Sequence, residues 1–314
     1  MPRFSNEAVN NVPGPLLIFI AALLWALDGV LRRFLFDLPP ALIVLLEHVI
    51  GLVVIAPFFI RAWKEEAPLT PKEWGAAGVV ALLSGVLGTL FFTAALLMTG
   101  FISFSVVYLV QKLQPVFAVG TARLVLRERV GKTYLFWAGL ALLTGYFVTF
   151  PGGVVNFGAG GAYVFAALLA FLAAVAWGSS TAFSRYLLLS RGNTFVTGLR
   201  FLLTVPLALL AAWALRALPA LPSVTPTHLL ILLAIALSTG MAALWIYYRG
   251  LRTTPVAVSA VVELAFPLTA VFVDYFLYHT VLDWTQYLAG AVLLFAMYRV
   301  ARAEPAVAGE PSAK

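Results

Sequence analysis

The sequence predicts an all-α, polytopic membrane protein: ten transmembrane helices arranged as two inverted five-helix repeats. Three observations carry this reading. The 314-residue chain is 62% hydrophobic and 11% charged, where soluble domains run near a quarter charged, and its mean hydropathy is +0.99. Apolar residues fall in runs of the roughly 20 residues that cross about 30 Å of hydrocarbon. Lys and Arg gather in alternate connections, and short strings recur at a nearly constant spacing.

The elements follow in order, as helices rather than barrel strands because the apolar runs lack two-residue alternation. A polar tail (1–14) leads into a first span, 15–36, which is too long for a signal-peptide core and contains Asp28. Trp25, Asp28 and Arg32 share one face of it at i, i+3 and i+7. Leu38-Pro39-Pro40 turns the chain into a second span, 40–62, bearing Glu47 and His48. The third, 73–97, carries Ser84, Gly85, Gly88 and Thr89, small residues that suit close helix packing. In the fourth, 102–124, Tyr108, Gln111, Gln114 and Pro115 line an arc flanked by Lys112. The fifth, 133–150, ends the first repeat (15–150) at Pro151-Gly152-Gly153. The second repeat (151–300) holds spans at 161–188, 194–217, 228–249, 255–277 and 283–300, before a tail at 301–314. Its sixth span places Trp177, Ser180 and Ser184 on one face, its seventh a stripe of Asn193, Thr197, Arg200 and Thr204, and its ninth Ser259, Glu263, Phe266 and Pro267.

Fifteen of the 20 Lys and Arg residues fall on the side of the N-terminus, three on the other side, and Lys112 and Arg200 within spans. The positive-inside rule places both termini in the cytoplasm of a plasma or inner membrane. The net charge of +7 is then a topology signal and gives no reason to invoke nucleic acid. Arg32, Arg33 and Arg249 read as snorkelling to the interface. With no cysteine in the chain, thiolate metal sites and disulfides are excluded, and no cofactor is expected.

The halves align at an offset of 152 residues: Trp25 on Trp177, Gly88 on Gly240, Pro115 on Pro267. An odd number of spans per half inverts the second half. Inverted repeats are characteristic of secondary transporters, which expose a shared midplane site alternately to the two sides.

The segment Val110-Gln111-Lys112-Leu113-Gln114-Pro115-Val116-Phe117, continuing through Leu126-Arg127-Glu128-Arg129-Val130 to Ala138-Gly139, resembles the ten-helix, EamA-like branch of the drug/metabolite transporter superfamily. The resemblance implies uptake or export of amino acids, other small metabolites or drugs, often coupled to a proton or counter-substrate. Export fits it better than uptake. In the second half His279 stands near the position of the motif glutamate, which makes the Glu128 turn a structural feature.

A charge deep in a bilayer requires a wet cavity or a partner. Asp28 and Glu47 fall at one depth, Lys112 and Glu263 near the midplane, and Arg200 in the cytoplasmic third. The expected site is a cavity binding a small polar metabolite such as an amino acid. Gln111, Lys112, Gln114, Arg200 and Glu263 are its ligand contacts, and Trp25, Tyr108, Trp177 and Phe266 its walls. Glu263, then Asp28 and Glu47, are candidates for proton coupling, since burial raises a carboxyl's pKa. Pro115 and Pro267 are candidate hinges. Alternatively Lys112 and Glu263 form a structural ion pair, Asp28 and Glu47 an interhelical contact, and the tryptophans pack without touching ligand. The expected partners are the substrate and the bilayer, with the chain a monomer or homodimer. Two other functions remain: export of cationic or aromatic drug-like compounds, and an integral-membrane lipid-modifying enzyme. The enzyme reading suffers because His48, His228 and His279 lie on separate elements without a His-Glu-x-x-His motif. No Gly-rich loop ending in Lys-Ser/Thr offers ATP hydrolysis.

Overall fold

The computed structural model describes residues 12–98, 111, 113–149, 151–154, 161–266, 269, 272, 275–276 and 283–302. Tyr108, Lys112, Pro267 and His279 lie outside the described residues. Among those described, the elements are helices, and each of the ten stretches read from the sequence contains helix.

The chain opens with α1 (Gly14–Ala26), α2 (Asp28–Arg32) and a 3-10 turn (Arg33–Leu35), then α3 (Pro40–Glu65). Next come α4 (Pro71–Val80), a π-helical segment (Ala81–Gly88) and α5 (Thr89–Met98). α6 (Gln114–Val125) and α7 (Lys132–Thr149) close the first half. The second half runs through α8 (Gly161–Leu188), α9 (Asn193–Ala214), α10 (Pro226–Leu237), α11 (Met241–Leu251), α12 (Val256–Val262) and α13 (Trp284–Arg302).

Six stretches are long and apolar enough to cross a membrane: Gly14–Leu35, Pro40–Glu65, Pro71–Met98, Val164–Leu188, Asn193–Ala214 and Pro226–Leu251. Side chains such as Phe34, Phe58, Leu124, Val164 and Trp213 are more than half exposed around the outside, an apolar girdle that water would not tolerate but lipid solvates.

Proline in the first turn starts α3, α4 and α10, where the missing N–H costs nothing. Two capping boxes repeat across the halves. Thr70 caps α4 with Glu73 reaching back, and Thr225 caps α10 with His228 in the same role.

The helices of one half pack mainly on those of the other: α1 on α11, α3 on α9, α6 and α5 on α8, α7 on α13, and α12 on α6. The α1–α11 crossing is backbone on backbone. A Cβ on Gly14 would sit 2.7 Å from the Gly250 carbonyl oxygen, and one on Gly250 2.6 Å from that of Gly14, so only glycine fits.

Besides the breaks at Leu113 and Glu263–Leu264, which stand just before Pro115 and Pro267, three helical runs are interrupted beside residues that line the interior. α1 and α2 are separated at Leu27, α4 and α5 by the π segment, and α10 and α11 by Ser238–Gly240. No proline stands at these interruptions. They surround one cavity.

Candidate functional site

A cavity of about 200 Å³ lies between the halves, and every described site residue expected from the sequence lines it: Trp25, Asp28, Glu47, Gln111, Gln114, Pro115, Trp177, Arg200, Glu263 and Phe266. Helical phase explains most of this. Trp25 and Asp28 sit one turn apart, and Trp177, Ser180, Thr181 and Ser184 fall on one face of α8.

Arg32 departs from expectation. It is buried, 4% exposed, and does not snorkel. Its guanidinium bonds Asp28 one turn earlier and donates to Glu47 Oε2 at 2.8 Å. Asp28 and Glu47 thus share a cation rather than contacting each other. Thr239, in the break before α11, donates to Asp28 Oδ1 at 2.7 Å. The neighbouring Gly240 leaves the room that Glu47 uses, since a Cβ there would lie 3.3 Å from Glu47 Oε1.

Glu263 forms a second cluster. Gln114 Nε2 donates to its Oε2 at 2.9 Å, while Tyr247 at 2.7 Å and Ser259 at 2.9 Å donate to Oε1. Tyr247 also packs against Trp25, with ring centroids 5.0 Å apart. Sequence reading did not single out Tyr247, because its repeat equivalent, Ala95, carries no matching group. The proposed partner Lys112 lies outside the described residues. Three donors already surround the Glu263 carboxylate without it.

Three polar atoms point elsewhere. Gln111 Oε1, Ser180 Oγ and Arg200 Nε are buried with no hydrogen-bond partner among the described residues, although all three residues line the cavity. Such atoms are costly unless a ligand or water meets them. The rest of the seventh-span stripe behaves differently. Thr197 and Thr204 return their hydroxyls to the carbonyls of Asn193 and Arg200, each at 2.7 Å. Asn193 Nδ2 is also buried without a partner among the described residues, but of this stripe Arg200 is the residue that lines the cavity. His48 Nδ1 donates to the Val44 carbonyl at 2.8 Å, and its ring packs 5.1 Å from Phe201.

The π segment shapes another wall. A π turn releases carbonyls from their usual partners, and the Ser84 carbonyl accepts from Trp177 Nε1 at 3.2 Å and Thr89 Oγ1 at 3.1 Å. Trp177 is held in place by this bond and by Phe92, 5.2 Å away. Pro115 stands in the first turn of α6, not in its middle.

Glu128 is structural. Its carboxylate accepts the backbone N–H groups of Val256 at 3.1 Å and Ala257 at 3.3 Å, capping α12, and pairs with Arg185 at 3.3 Å. Among the described residues no group of three or more His, Asp or Glu side chains is placed to hold a metal ion.

Comparisons with known proteins agree with this architecture. The chain is 34% identical over 298 residues to the riboflavin transporter ImpX of Fusobacterium nucleatum, covering 93% of this chain and 99% of that protein. A solved crystal structure shares the fold with a TM-score of 0.73 at 20% identity, covering 92% of this chain and 98% of its own. The model of the EamA-like transporter family matches twice, at residues 12–150 and 164–302, with both ends displaced by the same 152 residues as the sequence repeat. With this duplicated match and its apolar helices, the chain is a membrane transporter, not an enzyme, and belongs to the EamA-like transporter family of the drug/metabolite transporter superfamily.

Proposed function

We propose that the protein is a secondary carrier for riboflavin or a closely related planar heteroaromatic compound with a polyol arm, working by alternating access. The observation that carries this is the set of uncommitted polar atoms on Arg200, Gln111 and Ser180 inside a cavity walled by aromatic rings. Riboflavin, the substrate in the relative's name, has complementary chemistry. Its ring system presents carbonyl acceptors for an arginine N–H and an imide N–H for an amide oxygen, and its faces stack on Trp25, Trp177 and Phe266. The ribityl hydroxyls match the donors and acceptors of the Asp28–Arg32–Glu47 end.

At about 200 Å³ the cavity is smaller than the roughly 300 Å³ where drug-sized pockets begin. Binding a flavin therefore requires the walls to part, and the three helix interruptions are where they yield. The small volume favours the second reading, a compact polar metabolite such as an amino acid.

Several features support ten crossings in two inverted halves (15–150 and 151–300), with both termini cytoplasmic in the cell membrane. Exchanging the halves leaves these packing pairs unchanged: α3–α9 and α7–α13 map onto themselves, and α1–α11 maps onto α8 against the α4–α5 run. The distribution of Lys and Arg fits the same topology. Glu263 is the leading group for proton coupling. A carboxylate accepting three hydrogen bonds displaces a donor when protonated, which ties its charge to Gln114 and Tyr247. Pro115 and Pro267 remain the hinge candidates. Net direction, export in the sequence reading, follows the substrate gradient and this coupling.

Counterflow in proteoliposomes tests the proposal. Vesicles preloaded with riboflavin should accumulate labelled riboflavin, with excess amino acids or aromatic cations unable to compete. Folded protein that exchanges an amino acid but no riboflavin would overturn the flavin reading.

A further inference from the structure

α3 has 26 residues and so spans about 39 Å at 1.5 Å per residue, which places Asp37 and Glu66 at opposite ends of the molecule. At each end a tie joins the two halves, and the two ties occupy corresponding places in them, a helix cap and the turn before a long helix, within a few residues of the 152-residue offset. Both use the side chain that completes a Thr-Pro-x-x capping box, Glu73 on α4 and His228 on α10, and a residue from the turn before a long helix, Arg191 before α9 and Asp37 before α3.

Their strengths differ greatly. Arg191 makes a two-pronged bond to Glu73, Nε to Oε1 at 2.7 Å and Nη2 to Oε2 at 2.8 Å. It also donates to the Ala67 and Pro68 carbonyls at 2.6 and 3.1 Å, and meets Glu66 at 3.3 Å. Glu66 in turn accepts the Gly192 N–H at 2.9 Å. Both members of the Arg191–Glu73 pair are 8% exposed. The other tie is one contact, His228 Nε2 to Asp37 Oδ1 at 3.3 Å, and Asp37 is 57% exposed. Planar two-pronged arginine–carboxylate pairs are among the strongest polar contacts in proteins, whereas a single exposed contact contributes little.

We infer that these two ties are latches of unequal strength that set the resting state of the carrier, with the Arg191 face shut and the Asp37–His228 face the one that opens first. Arg191 and Glu73 are then positioning residues for transport. They touch no substrate, yet they fix which side the cavity faces and so the barrier to turning it over. This rests on alternating access in the proposed function but not on the identity of the substrate. On the charge distribution, the Arg191 face is the cytoplasmic one.

The native chain has no cysteine, so a single Ala260→Cys on the cavity wall reports access without background. Reconstituted protein is treated with a membrane-impermeant thiol reagent from each side in turn. The reporter alone should label mainly from the Asp37–His228 face. Adding Arg191→Ala should raise labelling from the Arg191 face roughly tenfold, the scale of a modest population shift, whereas His228→Ala should change labelling from either face by less than about twofold. Glu66→Gln, which leaves the Arg191–Glu73 pair intact, should give a smaller rise on the Arg191 face and serves if Arg191→Ala does not fold. Equal labelling from both faces before any latch substitution, or no sided change in Arg191→Ala or Glu66→Gln, overturns the inference. Lack of riboflavin exchange alongside the expected sided labelling would reject the flavin reading alone.

Discussion

Arg32 and Arg200 show how two arginines in one cavity acquire opposite roles. Arg32 has its charge balanced by Asp28 and Glu47, and removing it leaves two carboxylates facing each other away from water. Breaking a buried ion pair by deleting one member typically costs about 3–5 kcal/mol. Arg32→Ala should therefore lower the melting temperature markedly in detergent, with Asp28→Asn added to it recovering part of the loss. A melting temperature unchanged from wild type would show that the cluster is solvated. Among the described residues Arg200 has no such partner, and its Nε is buried and unmatched. Losing a hydrogen bond to a charged donor is worth about 1.5–3 kcal/mol. Arg200→Gln should thus weaken riboflavin binding by at least about tenfold while leaving the melting temperature near wild type, as fluorescence quenching of the flavin would report. A destabilised protein with undiminished affinity would make Arg200 structural.

At the scale of elements, the cap supplied by Glu128 holds the start of α12, the helix that carries Ser259 and leads into Glu263. A lost helix cap costs about 1 kcal/mol. Glu128→Ala should cost about that much stability and also disturb the Glu263 cluster, slowing exchange without altering substrate preference. A change of preference would mean that Glu128 reaches the substrate. The helices and their order were legible in the sequence because apolar run length records the bilayer. The faces of the first, fourth, sixth and ninth spans were legible because helical periodicity places Trp25 over Asp28 and Trp177 over Ser180 and Ser184. The interruptions were not. Leu27, the π segment and Ser238–Gly240 contain no proline, and nothing local distinguishes a strained turn from a regular one. Arg32 was misjudged for a related reason. Counting residues from the end of a continuous span puts it at the interface, whereas the separate short α2 returns its side chain to Asp28. Thr197 and Thr204 look like lining groups in a periodic stripe, but hydroxyls on a helix satisfy themselves one turn back.

For the whole molecule, one prediction concerns the coupling of charge to motion. Glu263→Gln retains the shape of the Gln114–Tyr247–Ser259 cluster and removes the titrating group. It should abolish flux driven by a pH gradient while counterflow under equal pH on both sides persists. Unchanged pH-driven flux would remove Glu263 from the mechanism and move attention to Asp28 and Glu47. The same architecture concentrates weakly held backbone around the cavity instead of at the ends of the rods. Amide protons in the Ala81–Gly88 π segment and at Ser238–Gly240 should therefore be replaced by deuterium far sooner than those of α3. Bound flavin, by pinning the walls, should slow that replacement at both stations together.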